Sequence, residues 1–159
     1  MSREKLWFTV SVVGSLPVHV FFVLLLFLFD SSWFFLSFGI MLVLVTIVVY
    51  AVKWWFPTTR PNERRGLPVR RRLWNHWRFV DRSSFPSAHA AYAAGLLALS
   101  FFLGSWGLRV FLFLFLCVVS WSRLSLREHY WRDVVAGAVL GAASGWLAWW
   151  LSPFFAPFF

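Results

Sequence analysis

Three groups of charged and hydroxyl side chains interrupt an otherwise apolar chain: Lys53 with Arg60-Pro61, then Pro86-Ser87-Ala88-His89, then Ser122-Arg123 followed by His129 and Asp133. Lys53, Arg60 and Arg123 are fixed positive charges suited to a phosphoryl group, whose oxygens gain charge during transfer. Pro86 suits a first helical turn. The backbone N–H groups of Ser87, Ala88 and His89 are then expected to point at an anion, with the helix dipole behind them, and Ser87 adds a hydroxyl donor. His129 and Asp133 are one helical turn apart on one face. A carboxylate there accepts the proton of one ring nitrogen, leaves the other as nucleophile and stabilises the imidazolium that forms. His89 remains as general acid for a leaving oxygen. The set has neither a carboxylate pair nor a Cys/His cluster with metal spacing. The chemistry is therefore expected to need no metal and no other cofactor, with arginine and lysine in the metal's place.

Positioning these residues falls to helices in a membrane. A chain of 159 residues forms one domain at most, taken as 1–159. Sixty per cent of it is hydrophobic, with 20 Phe and 12 Trp, more apolar bulk than a soluble domain of this size can hide. The surplus must face lipid, and Trp suits the headgroup zone. Apolar runs at 6–29, 33–56, 86–103, 108–124 and 131–151 each read as a spanning helix. The expected fold is an all-α integral membrane protein with five transmembrane helices. The end of the second span, the start of the third and the junction of the fourth and fifth then share one membrane face, so the three groups converge.

Residues 57–85 read as an interfacial basic loop. Within it Leu73, Trp74, Trp77 and Val80 recur at helical spacing, with Arg71, Arg72, Asn75, Arg78 and Arg82 between them, as in a helix lying on the membrane surface. The net charge of +9 gathers in that loop and beside spans, with no soluble basic domain to read nucleic acid; anionic headgroups or a phosphorylated substrate fit it better. The run at 6–29 lacks a small-x-small cleavage site and reads as a retained helix. His19, near Pro17, reads as a polar packing contact, His76 as interfacial, Ser122 as a loop-holding residue and the lone Cys117 as lipid-facing or core. Gly137, Gly141 and Gly145 form a helix-packing stripe.

The three groups resemble the signature motifs of the type 2 phosphatidic acid phosphatase superfamily, K-x6-R-P, P-S-G-H and S-R-x5-H-x3-D, a family that also includes the vanadium haloperoxidases. Lys53, Arg60 and Pro61 match the first, and Ser122, Arg123, His129 and Asp133 fill the third. Val134-Val135-Ala136-Gly137 resembles its usual continuation. The second departs at Ala88, where the family has glycine; the backbone N–H survives and the pocket is slightly tighter. The resemblance implies His129 as nucleophile, Asp133 as its orienting partner, His89 as acid, and Lys53, Arg60, Ser87, Ala88 and Arg123 as the phosphate ligands. Membrane members often have three spans before the first motif, whereas two precede it here.

The implied function is a lipid phosphatase working through a phosphohistidine. Its substrate would be a polyprenyl diphosphate, phosphatidylglycerophosphate, phosphatidate or lipid-linked sugar phosphate, with the extra arginines favouring a diphosphate. The alternatives are transfer of the phosphoryl group to an alcohol and lipid-phosphate binding or transport without turnover. Binding alone needs neither the His129–Asp133 pair nor His89. Peroxidase chemistry is disfavoured, because the relatives that perform it are soluble and much larger.

Of the fifteen Lys and Arg residues only Arg109 falls on the face opposite the three groups, and the imbalance survives setting Lys53, Arg60 and Arg123 aside as chemistry. Basic loops stay inside, so the site is expected at the cytoplasmic face of the inner membrane. Single cysteines placed between Arg64 and Arg72, on a Cys117→Ser background, should react with a membrane-impermeant maleimide only after lysis. Strong labelling of intact cells would put the site outside.

Overall fold

The computed structural model describes residues 3–15, 18–20, 33–64, 83–103 and 106–155. Among the described residues five helices carry the fold: α1 (Arg3–Val13), α2 (Trp33–Trp55), α3 (Ala88–Leu103), α4 (Trp106–Ser125) and α5 (Trp131–Phe155). A single helical turn, Pro61–Arg64, follows α2. No strand occurs among the described residues. Phe35–Trp55, Trp106–Ser125 and Trp131–Phe155 are long and apolar enough to cross a membrane, and Ala88–Phe102 is a shorter apolar helix. The outward faces are as apolar as the core: Ile47, Phe111 and Val139 are 60%, 63% and 63% exposed, which only lipid makes tolerable. Cys117 is on that exposed surface. The chain is an all-α integral membrane protein.

The first expected span differs. The helix that starts at Arg3 stops at Val13, and Gly14-Ser15 turn the chain before helical residues 18–20. Ser15 Oγ donates to the Val12 carbonyl at 2.5 Å, a local bond that competes with the helical ladder. Gly14 is held against α4, where a Cβ would stand 2.8 Å from Val119 Cγ1. His19 is buried with its ring among Phe38, Tyr92 and Phe115, and its Nδ1 lies 2.9 Å from the Ser15 carbonyl. Residues 21–29 of that run, and the surface helix expected around residues 71–82 together with His76, lie outside the described residues.

At the other end α5 runs past the expected stop at 151, although Pro153 stands inside it. Proline leaves the carbonyl four residues back without a donor. Ser152 Oγ supplies one, to Trp149 O at 2.8 Å. Arg109 closes α3 in a similar way: its Nε and Nη2 donate to the Ser100 and Phe101 carbonyls at 3.3 and 3.1 Å.

The core joins Phe38, Met41, Leu42, Val45 and Val49 of α2 to Ala91, Tyr92 and Leu99 of α3 and Ala148 of α5. The Tyr92 hydroxyl is satisfied by Thr46 Oγ1 at 3.0 Å. The closest approach is between α3 and α5. A Cβ built on Gly137, Gly141 or Gly145 would fall 2.3, 1.9 or 2.4 Å from the carbonyl oxygens of Ser87, Ala91 and Gly95. Two ridges of spacing four thus meet backbone to backbone, the close approach that small residues permit.

Adding one methyl at Gly141 has a rigid carbonyl to displace. Gly141→Ala should destabilise the protein by about 2 kcal/mol or more, read as a lower melting temperature in detergent. Gly39→Ala is the control, because nothing lies within 4 Å of a Cβ there, and it should leave the melting temperature unchanged or slightly raised.

Candidate active site

The end of α2, the start of α3, the end of α4 and the start of α5 meet, and backbone hydrogen bonds stitch them together. The strand of chain after α2 runs along the segment before α3: Ser84 N donates to Thr58 O at 2.9 Å, and Phe85 N donates to Thr58 Oγ1 at 2.9 Å. Lys53, in the last turn of α2, is buried and donates from Nζ to the Ser83 carbonyl at 2.6 Å. Asn62 N reaches the Arg127 carbonyl at 3.0 Å, tying the first motif to the third.

Between α4 and α5 the chain makes a tight stop. Arg127 has φ 53°, left-handed backbone that costs a non-glycine residue roughly 1–2 kcal/mol. Its N–H bonds Leu124 O at 3.0 Å and the next N–H, of Glu128, bonds Arg123 O at 3.1 Å, the paired closure of a Schellman motif. That closure sets the Glu128 carboxylate beside two of the expected phosphate ligands. Glu128 Oε2 accepts from Arg60 Nη1 at 2.9 Å and also from Arg123 Nη2. Arg123 Nη1 donates further to Ser11 Oγ of α1. Ser122 Oγ turns back to Val119 O at 2.6 Å, which holds the end of α4.

His129 is buried and its Nδ1 lies 2.6 Å from the Ser84 carbonyl. A carbonyl only accepts, so Nδ1 carries the proton and Nε2 keeps the lone pair. Asp133 was expected to take that proton, but its Oδ2 stands 3.8 Å from Nδ1 and instead accepts from Tyr130 N at 2.8 Å. This places it at the third position of α5, where a carboxylate caps the helix start. It remains within electrostatic reach of the ring.

Ser87 also differs from expectation. Its N–H is spent on Asp133 O at 2.9 Å, while its carbonyl accepts from Ala91 N at 3.1 Å. Ser87 is thus the residue ahead of α3, Pro86 lies outside the helix, and the amides left facing outward at its start belong to Ala88 and His89. The Ala88 methyl packs on the core, so the substitution for glycine leaves its N–H in place. Ser87 Oγ is fully buried and has no hydrogen-bond partner among the described residues. Such an atom is expensive unless a ligand completes it. His89 sits half-buried in the first turn of α3, its ring edge towards Gly14. Among the described residues no cluster of three or more His, Cys, Asp or Glu side chains has metal-holding geometry.

The sequence profile of the PAP2 superfamily matches residues 33–156, and the chain belongs to that superfamily. In three dimensions it is similar to the crystal structure of LpxE from Aquifex aeolicus, with a TM-score of 0.73 at 24% identity, covering 91% of this chain and 84% of that one. Comparison with curated proteins gives no match.

Burial pushes the His129 pKa well below the ordinary imidazole value; Asp133 opposes the shift, and Arg123, Arg60 and Lys53 add to it. A lowered pKa means the ring binds its second proton only in stronger acid. In protein labelled with 15N at its histidines, the His129 ring should stay neutral at pH 6, where an ordinary imidazole of pKa about 6.5 is mostly charged. Lys53→Met should move the titration upward. An unshifted His129 titration would contradict the burial and charge described.

Proposed function

We propose that the protein is a lipid phosphatase in which His129 Nε2 attacks the phosphorus and forms a phosphohistidine. The observation that carries this reading is the pairing of a buried, neutral imidazole, its Nδ1 proton fixed on Ser84 O, with the unpartnered Ser87 hydroxyl at the start of α3. The bond from phosphorus to the leaving oxygen breaks as the N–P bond forms, and His89 protonates that oxygen. Water then attacks the phosphohistidine, His89 takes its proton, and inorganic phosphate leaves with His129 restored. Lys53, Arg60, Arg123 and the amides of Ala88 and His89 stabilise the charge on the transferring group. Asp133 favours the imidazolium character that His129 acquires. These cations supply what a metal does elsewhere, so activity is proposed to be metal-independent.

The substrate is proposed to be a lipid whose phosphate or diphosphate lies at headgroup depth, since the site lies at the ends of helices whose sides face lipid. Arg109 has a structural task on α3, so the basic excess on the site's face supports a cytoplasmic orientation.

The test is phosphate release from a panel of detergent-solubilised lipid phosphates in excess EDTA. Wild type should turn over without added metal and His129→Ala should not. Because Ser84 already holds the Nδ1 proton, Asp133→Asn should cost less than the roughly 10⁴-fold seen where a carboxylate alone fixes the tautomer. Wild-type rates in His129→Ala would end the phosphohistidine reading.

A further inference from the structure

We propose that Glu128 occupies the phosphate position of the resting site and competes with substrate for it. The proposal rests on the phosphatase reading and deepens it. Arg60 and Arg123, two of the proposed phosphate ligands, converge on one atom, Glu128 Oε2. A carboxylate bridging two guanidiniums is the arrangement that a phosphoryl group would make with the same pair. The side chain of Glu128 is 15% exposed, against 8% and 2% for those of Arg60 and Arg123. The carboxylate is therefore the most solvent-accessible member of the trio.

Its place is fixed by the backbone. The closure at Arg127 and Glu128 leaves the carboxylate one residue before His129 and five after Arg123. With no substrate bound, Glu128 neutralises two buried cations that would otherwise repel each other. When a phosphate dianion arrives, the same carboxylate becomes a like charge at short range. It must then give up Arg60 and Arg123 to the phosphate. The cations are thus kept in register at the expense of anion affinity, and release of the product phosphate is assisted as Glu128 returns.

Two readings of this residue give opposite signs. If Glu128 only positions the arginines, neutralising it weakens anion binding. If it is a resident competitor, neutralising it strengthens binding, because glutamine keeps an oxygen for the guanidiniums and loses the charge. The measurements are inhibition constants for inorganic phosphate and orthovanadate, with KM and kcat on a lipid phosphate, for wild type and Glu128→Gln. We expect both inhibition constants and KM to fall about tenfold, the factor that 1.4 kcal/mol represents, while kcat does not rise. Glu128→Asp keeps the charge one methylene further back and should move the same constants in the same direction by less, which preserves the test if the glutamine variant does not fold. Unchanged or raised inhibition constants in a folded variant overturn the proposal. A wild-type protein that neither releases phosphate nor is inhibited by it overturns the phosphatase reading itself.

Discussion

Lys53, Arg60 and Arg123 are 7%, 6% and 2% exposed at the ends of apolar helices. An uncompensated cation in such a place costs several kcal/mol. Compensation comes from groups in other segments: the Ser83 carbonyl for Lys53, the Glu128 carboxylate for Arg60 and Arg123, and the Ser11 hydroxyl for Arg123. Satisfying the charges and gathering the segments are therefore one event. With the Ser83 carbonyl given up to Lys53, the segment before α3 has its path fixed, and the Ser84 carbonyl is brought to the ring of His129. Among the described residues the site holds three cations, Lys53, Arg60 and Arg123, against two carboxylates, Glu128 and Asp133, and that surplus is what an anionic group would find attractive.

The second constraint is distance along the helix axes. The glycine face of α5 lies against the α3 backbone with no side chain between, so the two helices cannot slide past each other without clashing. Locking them at Gly141 and Gly145 sets the heights of their first turns. There Ser87 N bonds Asp133 O, leaving the Ser87 hydroxyl buried within the site. Packing deep in the membrane and a hydroxyl at its surface are linked through rigid backbone rather than through any chain of polar contacts.

Much of this was legible in the residue types. Lys53, Arg60, Arg123, His129 and Asp133 reveal themselves because charge in an apolar chain needs a reason, and the glycine spacing because nothing larger fits. What escaped the sequence is mostly backbone. The acceptor for His129 is a carbonyl of Ser84, which any residue would supply. The Ser87 amide is occupied by another carbonyl, and Pro86 sits ahead of the helix rather than in it. Glu128 and Ser11 were missed for a different reason. Their types are ordinary at those positions, and only the closure at Arg127 and the docking of α1 bring them to the arginines. The turn at Gly14-Ser15 did carry a signal, in the small residue and the hydroxyl just before Pro17, which a reading by hydropathy alone passes over.

The bond between Ser11 and Arg123 spans 112 positions of the chain. A ribosome adding roughly 5–20 residues per second needs roughly 6–20 s to make the second partner after the first. Through that interval α1, with 11 residues, is too short to cross the bilayer by itself and lacks the α4 surface that receives Gly14. Its contact with α4 can form only once α4 has been made. The Ser11 contact is thus made only after α2, α3 and α4 have been synthesised, so the docking of α1 is a late step in assembling the cationic cluster.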